Sequence, residues 1–179
     1  MSFFSEFLHD PNVAAVSPSS PFLMRRLVAN LDLANARAVL ELGPGDGVAT
    51  RALLTHLPHD ARYFAIERNV HFVTALRGTD PRLTVIEGSA QDVGQALESL
   101  VGHIDIAIAS IPFTYLTKKE RASVCANVDR LLRPGGTFII FHQYSPLMLP
   151  YLKHEFGAAT WRYELLNIFP CFLLRASKK

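Results

Sequence analysis

From Arg37 onward, short runs of apolar, β-branched residues alternate with longer stretches whose apolar positions recur at helical spacing. Ala38 to Leu42, Tyr63 to Glu67, Leu83 to Glu87, Ile104 to Ser110 and Thr137 to Tyr144 predict strands. Val48 to His56, Val70 to Arg77, Val93 to Val101 and Lys118 to Leu132 predict the helices between them. The runs VLEL, IDIAIA and TFIIF are almost unbroken in apolar residues, as strands buried on both faces are. Strands and helices in this alternation imply right-handed crossovers and a parallel sheet covered on both faces.

The two ends of the chain depart from the alternation. Arg133-Pro134-Gly135-Gly136 is expected to end the long helix and turn tightly into the fifth strand. Pro146 to Phe156 predicts one more short helix, and ATWRYELLN and CFLLRAS, joined at Ile168-Phe169-Pro170, predict a hairpin-like pair closing one sheet edge. The expected fold is thus α/β, Rossmann-like, with a seven-stranded, mostly parallel sheet. Ahead of it, Phe3, Phe4, Phe7 and Leu8 share a helical face, and Ser20-Pro21 starts a second helix with Met24, Leu27, Val28 and Leu31. Residues 1–36 are expected to form a helical lid or membrane-docking segment, and residues 37–179 the main domain.

Composition narrows the function classes. A chain of 179 residues, 49% apolar and 19% charged, is one folded domain with a real core. Its net charge of +2 leaves no concentrated basic footprint, so no specific nucleic-acid partner is expected. Cys125 and Cys171 match no metal spacing, so no metal is expected and both are read as reduced thiols of a cytoplasmic protein. The start, MSFFSEFLHD, lacks a basic n-region, and no apolar run approaches the roughly 20 residues that span a bilayer. A soluble protein, or one peripheral at the inner face of a membrane, is expected.

The chemistry concentrates where predicted strands end. Glu41-Leu42-Gly43-Pro44-Gly45-Asp46-Gly47 leads from the first strand into a helix, and its glycines let backbone N–H groups approach a ligand. A dinucleotide fingerprint would place a third glycine where Val48 stands, and Asp46 would set a carboxylate beside a pyrophosphate; both disfavour NAD. Glu67 ends the second strand, where an acid accepts both hydroxyls of a ribose. Glu67 and Asp92 also have a purely structural reading as helix caps.

The motif E-x-G-x-G-x-G resembles motif I of the class I S-adenosylmethionine-dependent methyltransferases. Glu87-Gly88-Ser89-Ala90-Gln91-Asp92 resembles that family's turn after the third strand. The resemblance implies S-adenosylmethionine as cofactor. Gly43, Gly45 and Gly47 would form its cradle, Glu41 would face the methionine ammonium and Glu67 would hold the ribose. Ala90 and Gln91 would flank the adenine, Asp92 would lie near its exocyclic amine, and Ser110 would stand beside the sulfonium methyl.

The stretch Ser110-Ile111-Pro112-Phe113 follows the fourth strand, and proline after Ile111 places Phe113 and Tyr115 on a loop. Adenine N-methyltransferases carry N/D-P-P-F/Y there; Ser110 cannot make the same bidentate contact with an amine. Bacterial phospholipid N-methyltransferases resemble the chain more fully, at Ser17 to Pro21, Glu41 to Leu54, Ser110 to Phe113, Leu132 to Gly136 and Tyr144-Ser145-Pro146. That resemblance implies methylation of phosphatidylethanolamine at a membrane surface. Phe113, Tyr115 and Tyr144 would then offer ring faces to an increasingly cationic amine, and His142 or Tyr144 would take its proton. An rRNA adenine or small-amine methyltransferase, and a non-catalytic cofactor-binding module, stay open as other readings.

Overall fold

The computed structural model describes residues 21–143, 145–164 and 171–179. Residues 1–20, most of the expected lid, lie outside the described residues.

Seven strands form one sheet in the order β3-β2-β1-β4-β5-β7-β6. These are β1 (Ala38–Leu42), β2 (Arg62–Glu67), β3 (Leu83–Glu87), β4 (Ile104–Ala109), β5 (Leu132–Gln143), β6 (Ala159–Glu164) and β7 (Cys171–Ser177). β1 to β5 run parallel, whereas β7 pairs antiparallel with both β5 and β6. The helices are α1 (Pro21–Ala29), α2 (Val48–Leu54), α3 (Val70–Leu76), α4 (Val93–Ala96), α5 (Lys118–Leu131) and α6 (Leu149–Phe156). The sheet therefore has the Rossmann-like architecture that the alternation predicts.

Apolar layers cover both faces. On one, Phe138, Ile140 and Leu174 pack with Val124, Val128 and Leu131 of α5 and with Leu152 and Phe156 of α6. On the other, Val39, Tyr63, Ile108 and Ile139 pack with Met24 and Leu27 of α1 and Leu53 and Leu54 of α2. β1 lies between β2 and β4 and is buried along its whole length, which is why its sequence is nearly all apolar. The strand order reverses between β1 and β4, and in such sheets the crevice at that reversal, outside the carboxyl ends, receives ligands.

Three expectations need correction. The segment 93–101 is not one helix: α4 ends at Ala96 and a 3-10 turn follows at Glu98–Leu100. Gly94 lowers its helical preference, and a Cβ there would lie 2.4 Å from Asn127 Oδ1 of α5, so the glycine serves close packing. The Arg133-Pro134-Gly135-Gly136 turn belongs to β5, as an irregularity between the Ile104–Leu132 and Ile106–Thr137 pairings. Finally, Met24, Leu27, Leu33 and Ala36 are buried against the sheet layer, so residues 24–36 pack as part of the main domain.

Asp105 ties the amino ends of three strands together. Its Oδ2 accepts from the N–H groups of Arg37 and Ala38, both at 2.9 Å, and its Oδ1 from Arg133 Nε at 2.5 Å. Partial burial works against ionisation, yet these hydrogen bonds prevail and hold the carboxyl below its ordinary pKa.

Candidate active site

The turn after β1 is built from left-handed backbone. Gly43, Gly45 and Gly47 have φ of +74°, +56° and +77°, a region that side chains with a Cβ rarely adopt. At Gly43 space is also limiting: a Cβ would lie 2.6 Å from Ile111 Cγ2 and 3.1 Å from the Ser110 carbonyl oxygen. The turn after β1 and the turn after β4 therefore touch backbone to side chain. Ser110 N donates to the Leu42 carbonyl at 3.0 Å, closing the same junction.

Glu67, at the end of β2, is pinned to this turn. Its Oε2 accepts from Gly45 N at 3.1 Å and its Oε1 from Asn69 N at 2.8 Å. A carboxylate offers about four lone-pair sites, so both oxygens keep capacity for a further donor such as a hydroxyl.

Glu41 lies near the end of β1. It is only 1% exposed, and its Oε2 accepts from Thr50 Oγ at 2.5 Å and Tyr63 OH at 2.8 Å. Burial pushes its pKa up to about 7, against the two hydrogen bonds that favour the anion, with the Glu67 and Asp46 carboxylates adding to the rise. Glu41 fastens β1 to the start of α2 and to β2, under the glycine turn. Thr50 and Tyr63 were not singled out in the sequence; a tyrosine in an apolar strand needing a hydroxyl partner was the available signal.

The turn after β3 is anchored to α5. Ser89 Oγ donates to Gln91 Oε1, Gln91 Nε2 donates to Glu120 Oε1 at 3.3 Å, and Asn127 Nδ2 donates to the Gln91 carbonyl at 3.1 Å. Ala90 is half-buried and Asp92 exposed in the 3-10 turn Ala90–Asp92. Glu120 is itself the third residue of a capping box with Thr117, which starts α5.

The turn after β4 corrects one expectation. Phe113 is 0% exposed, locked into the core by the 3-10 turn Phe113–Tyr115, with its carbonyl accepting from Arg121 Nε at 2.8 Å. Its ring is a packing group of the core layer and offers no open face to a substrate. Tyr115, in the same turn, is 62% exposed. His142 lies in β5 opposite Phe172, and Tyr144 lies outside the described residues.

The ends of β1, β2, β3 and β4 thus bring Gly43, Gly45, Gly47, Glu67, Ala90, Gln91, Asp92 and Ser110 to one side of the sheet. An acid bonded to the glycine turn, with lone pairs left for hydroxyls, suits the ribose of an adenosyl cofactor. Among the described residues, no group of three or more His, Cys, Asp and Glu side chains is placed to hold a metal ion.

Comparison with known proteins agrees. Residues 39–136 match the family described as Methyltransferase domain. The chain is 29% identical over 168 residues to the ornithine lipid N-methyltransferase of Singulisphaera acidiphila, covering 92% of this chain and 88% of that one. It is 31% identical over 94 residues to ribosomal RNA small subunit methyltransferase A of Chlorobium phaeobacteroides, covering 49% of this chain and 34% of that one. Among solved structures, an O-methyltransferase from Bacillus cereus in complex with SAH superposes with a TM-score of 0.72 at 19% identity, covering 99% of this chain and 91% of that one. Precorrin-6y C5,15-methyltransferase from Geobacter metallireducens also gives 0.72, at 16% identity and 88% of each chain. With the glycine turn, the strand-end acids and the sheet order all in agreement, the chain belongs to the methyltransferase domain family as an S-adenosylmethionine-dependent enzyme of class I fold.

Proposed function

We propose that the enzyme methylates the amine of a membrane-lipid headgroup, with phosphatidylethanolamine or its methylated derivatives as the leading acceptor. The observation that carries this reading is the likeness, over 92% of the chain, to a protein named for N-methylation of an ornithine lipid. The segment Ser110-Ile111-Pro112-Phe113 supports it by lacking the amide or carboxylate that an adenine amine would need.

In this proposal the backbone of Gly43, Gly45 and Gly47 receives the methionine end of the cofactor. Glu67 takes the ribose hydroxyls on its remaining lone pairs. Ala90 and Gln91 flank the adenine, Asp92 accepts from its exocyclic amine, and Ser110 lines the place of transfer. When bound, S-adenosylmethionine supplies an electrophilic methyl group on a sulfonium. The acceptor must arrive as a neutral amine, aligned with that methyl and able to lose a proton. Tyr115 is the exposed ring available for cation-π attraction to the amine, and His142 and Tyr144 are the proposed proton acceptors.

Transfer of labelled methyl to liposomes containing phosphatidylethanolamine tests the reading, with ornithine lipid, RNA and small amines as parallel acceptors. Label in phosphatidylethanolamine is the expected result. Label in RNA alone would overturn it in favour of the adenine reading, which the ribosomal RNA methyltransferase likeness over half of the chain supports. Label in ornithine lipid alone would keep a lipid acceptor and replace its headgroup.

A further inference from the structure

Glu67 lies between two turns. Its side chain accepts from Gly45 N of the glycine turn, and its carbonyl accepts from Gly88 N, at 2.9 Å, where the turn after β3 begins. A ribose held on Glu67 therefore has the glycine turn on one side and the 3-10 turn Ala90–Asp92 on the other. β2 and β3 are separated by one strand spacing of about 4.8 Å, a step that suits passage from a ribose to its base.

Three residues of 3-10 backbone are too short to fix their own place, and here α5 fixes it. Glu120 and Asn127 stand about two helical turns apart and so share a face. Asn127 Nδ2 donates to the Gln91 carbonyl at 3.1 Å, and Glu120 Oε1 accepts from Gln91 Nε2 at 3.3 Å. One helix face thus grips Gln91 by main chain and by side chain. Gly94 admits the grip, since a Cβ there would lie 2.4 Å from Asn127 Oδ1. The second oxygen of Glu120 accepts from Thr117 N at 2.7 Å, which refers the position of Gln91 to the capped start of α5. Arg130, further along the helix, reaches past the turn to the Gly94 carbonyl at 2.9 Å and to Glu98 Oε2 at 2.7 Å.

We propose that Glu120 and Asn127 are positioning residues for the cofactor: acting through Gln91, they set the Ala90–Asp92 turn against the base and thereby its selectivity for adenine. The inference rests on the cofactor placement proposed above, with Asp92 accepting from the exocyclic amine, and holds whatever the methyl acceptor.

The test is calorimetry of the full chain with S-adenosylhomocysteine and with its inosine counterpart, in which a carbonyl oxygen replaces the exocyclic amine. The unaltered enzyme should bind the adenosyl ligand about tenfold or more tightly than the inosyl one, because Asp92 would face an acceptor in place of a donor. Glu120→Ala removes the side-chain grip, and Asn127→Asp removes the main-chain donor with little change of shape. Each should reduce the preference about threefold or more, with the inosyl affinity changing less than the adenosyl affinity. Arg130→Ala should lower the thermal midpoint and leave the preference unchanged. Equal loss for both ligands in Glu120→Ala and Asn127→Asp overturns the proposal, as does a like loss of preference in Arg130→Ala; either makes the polar face of α5 merely structural.

A paired exchange keeps the proposal testable where Glu120→Ala does not fold. With Gln91→Glu and Glu120→Gln together, the amide at 120 can accept from Thr117 N and donate to the carboxylate at 91, so both bonds survive with the pair reversed. This chain should keep a preference within about twofold of the native one. Loss of the preference in the folded exchanged chain overturns the proposal. Failure of the cofactor placement shows separately, as equal binding of the two ligands by the unaltered enzyme, and the proposal falls with it.

Discussion

Glu41 carries the clearest pH signature in the protein. Its folded pKa of about 7 exceeds its ordinary 4.5, so between these values the folded chain holds a proton that the unfolded chain releases. Stability from this group is full below pH 4.5 and is lost as pH rises through 7. A shift of this size corresponds to about 3 kcal/mol. Urea denaturation of Glu41→Gln should show a flatter pH dependence, with the variant gaining on the native chain above pH 7 and losing that advantage below pH 5. The glycine turn gives a second residue-scale prediction. Gly78 has φ of +77° with open space around it, whereas Gly43 has φ of +74° with Ile111 in the way. Gly78→Ala should cost about 1 kcal/mol from backbone strain alone. Gly43→Ala should cost more in thermal melts and should also lower S-adenosylmethionine affinity in calorimetry.

At the scale of elements, β1 and β3 run from and to the residues that the apolar runs predict, and β2 and β4 differ by one residue. Local pattern suffices there because a strand buried on both faces has little freedom in composition. What the pattern could not show are contacts set by register and tertiary packing. Glu41 meets Tyr63 because β1 and β2 pair with Glu41 opposite Ala65, which brings residue 63 to the same face. Phe113 was legible as a loop residue from Pro112, but the inward fold of its turn depends on Arg121 of α5 holding its carbonyl. A further element-scale device is Arg82, which donates to the carbonyls of Leu54, at the end of α2, and of Leu57 and Pro58 beyond it, and makes a two-point pair with Asp80. Hydrogen bonds from Arg82 hold Asp80 down to about 2, so the stabilisation is present above pH 3.8 and lost as pH falls toward 2. Arg82→Lys should lower stability by about 1–2 kcal/mol, read in urea denaturation, because one ammonium cannot replace the planar fork.

At the scale of the whole molecule, the sheet order makes β7 an interior strand, seated between β5 and β6. Removing residues 159–179 would strip β5 of its partner and uncover Phe138, Ile140 and Leu152, which share a layer with Leu174. A chain ending at residue 158 should lose cooperative thermal unfolding and near-UV circular dichroism, whereas loss of an ordinary edge hairpin would spare both. The tail's two β-prone runs predicted a pair at the sheet edge, and their antiparallel pairing follows from it. That β7 joins β5 ahead of β6 is a property of the assembled sheet. No helix among the described residues is long and apolar enough to cross a membrane.

The contact between Gly43 and Ile111 also constrains how such an enzyme is re-engineered. Swapping the post-β4 segment for one from another methyltransferase, in order to change what is methylated, alters the wall against which the cofactor turn is folded. A larger residue at 111 would push on Gly43 and register as weaker cofactor binding even if the new acceptor fitted. Libraries aimed at new acceptors should therefore vary positions 110 and 111 jointly with the 43–47 turn, and selections that screen cofactor retention first would discard the incompatible grafts early.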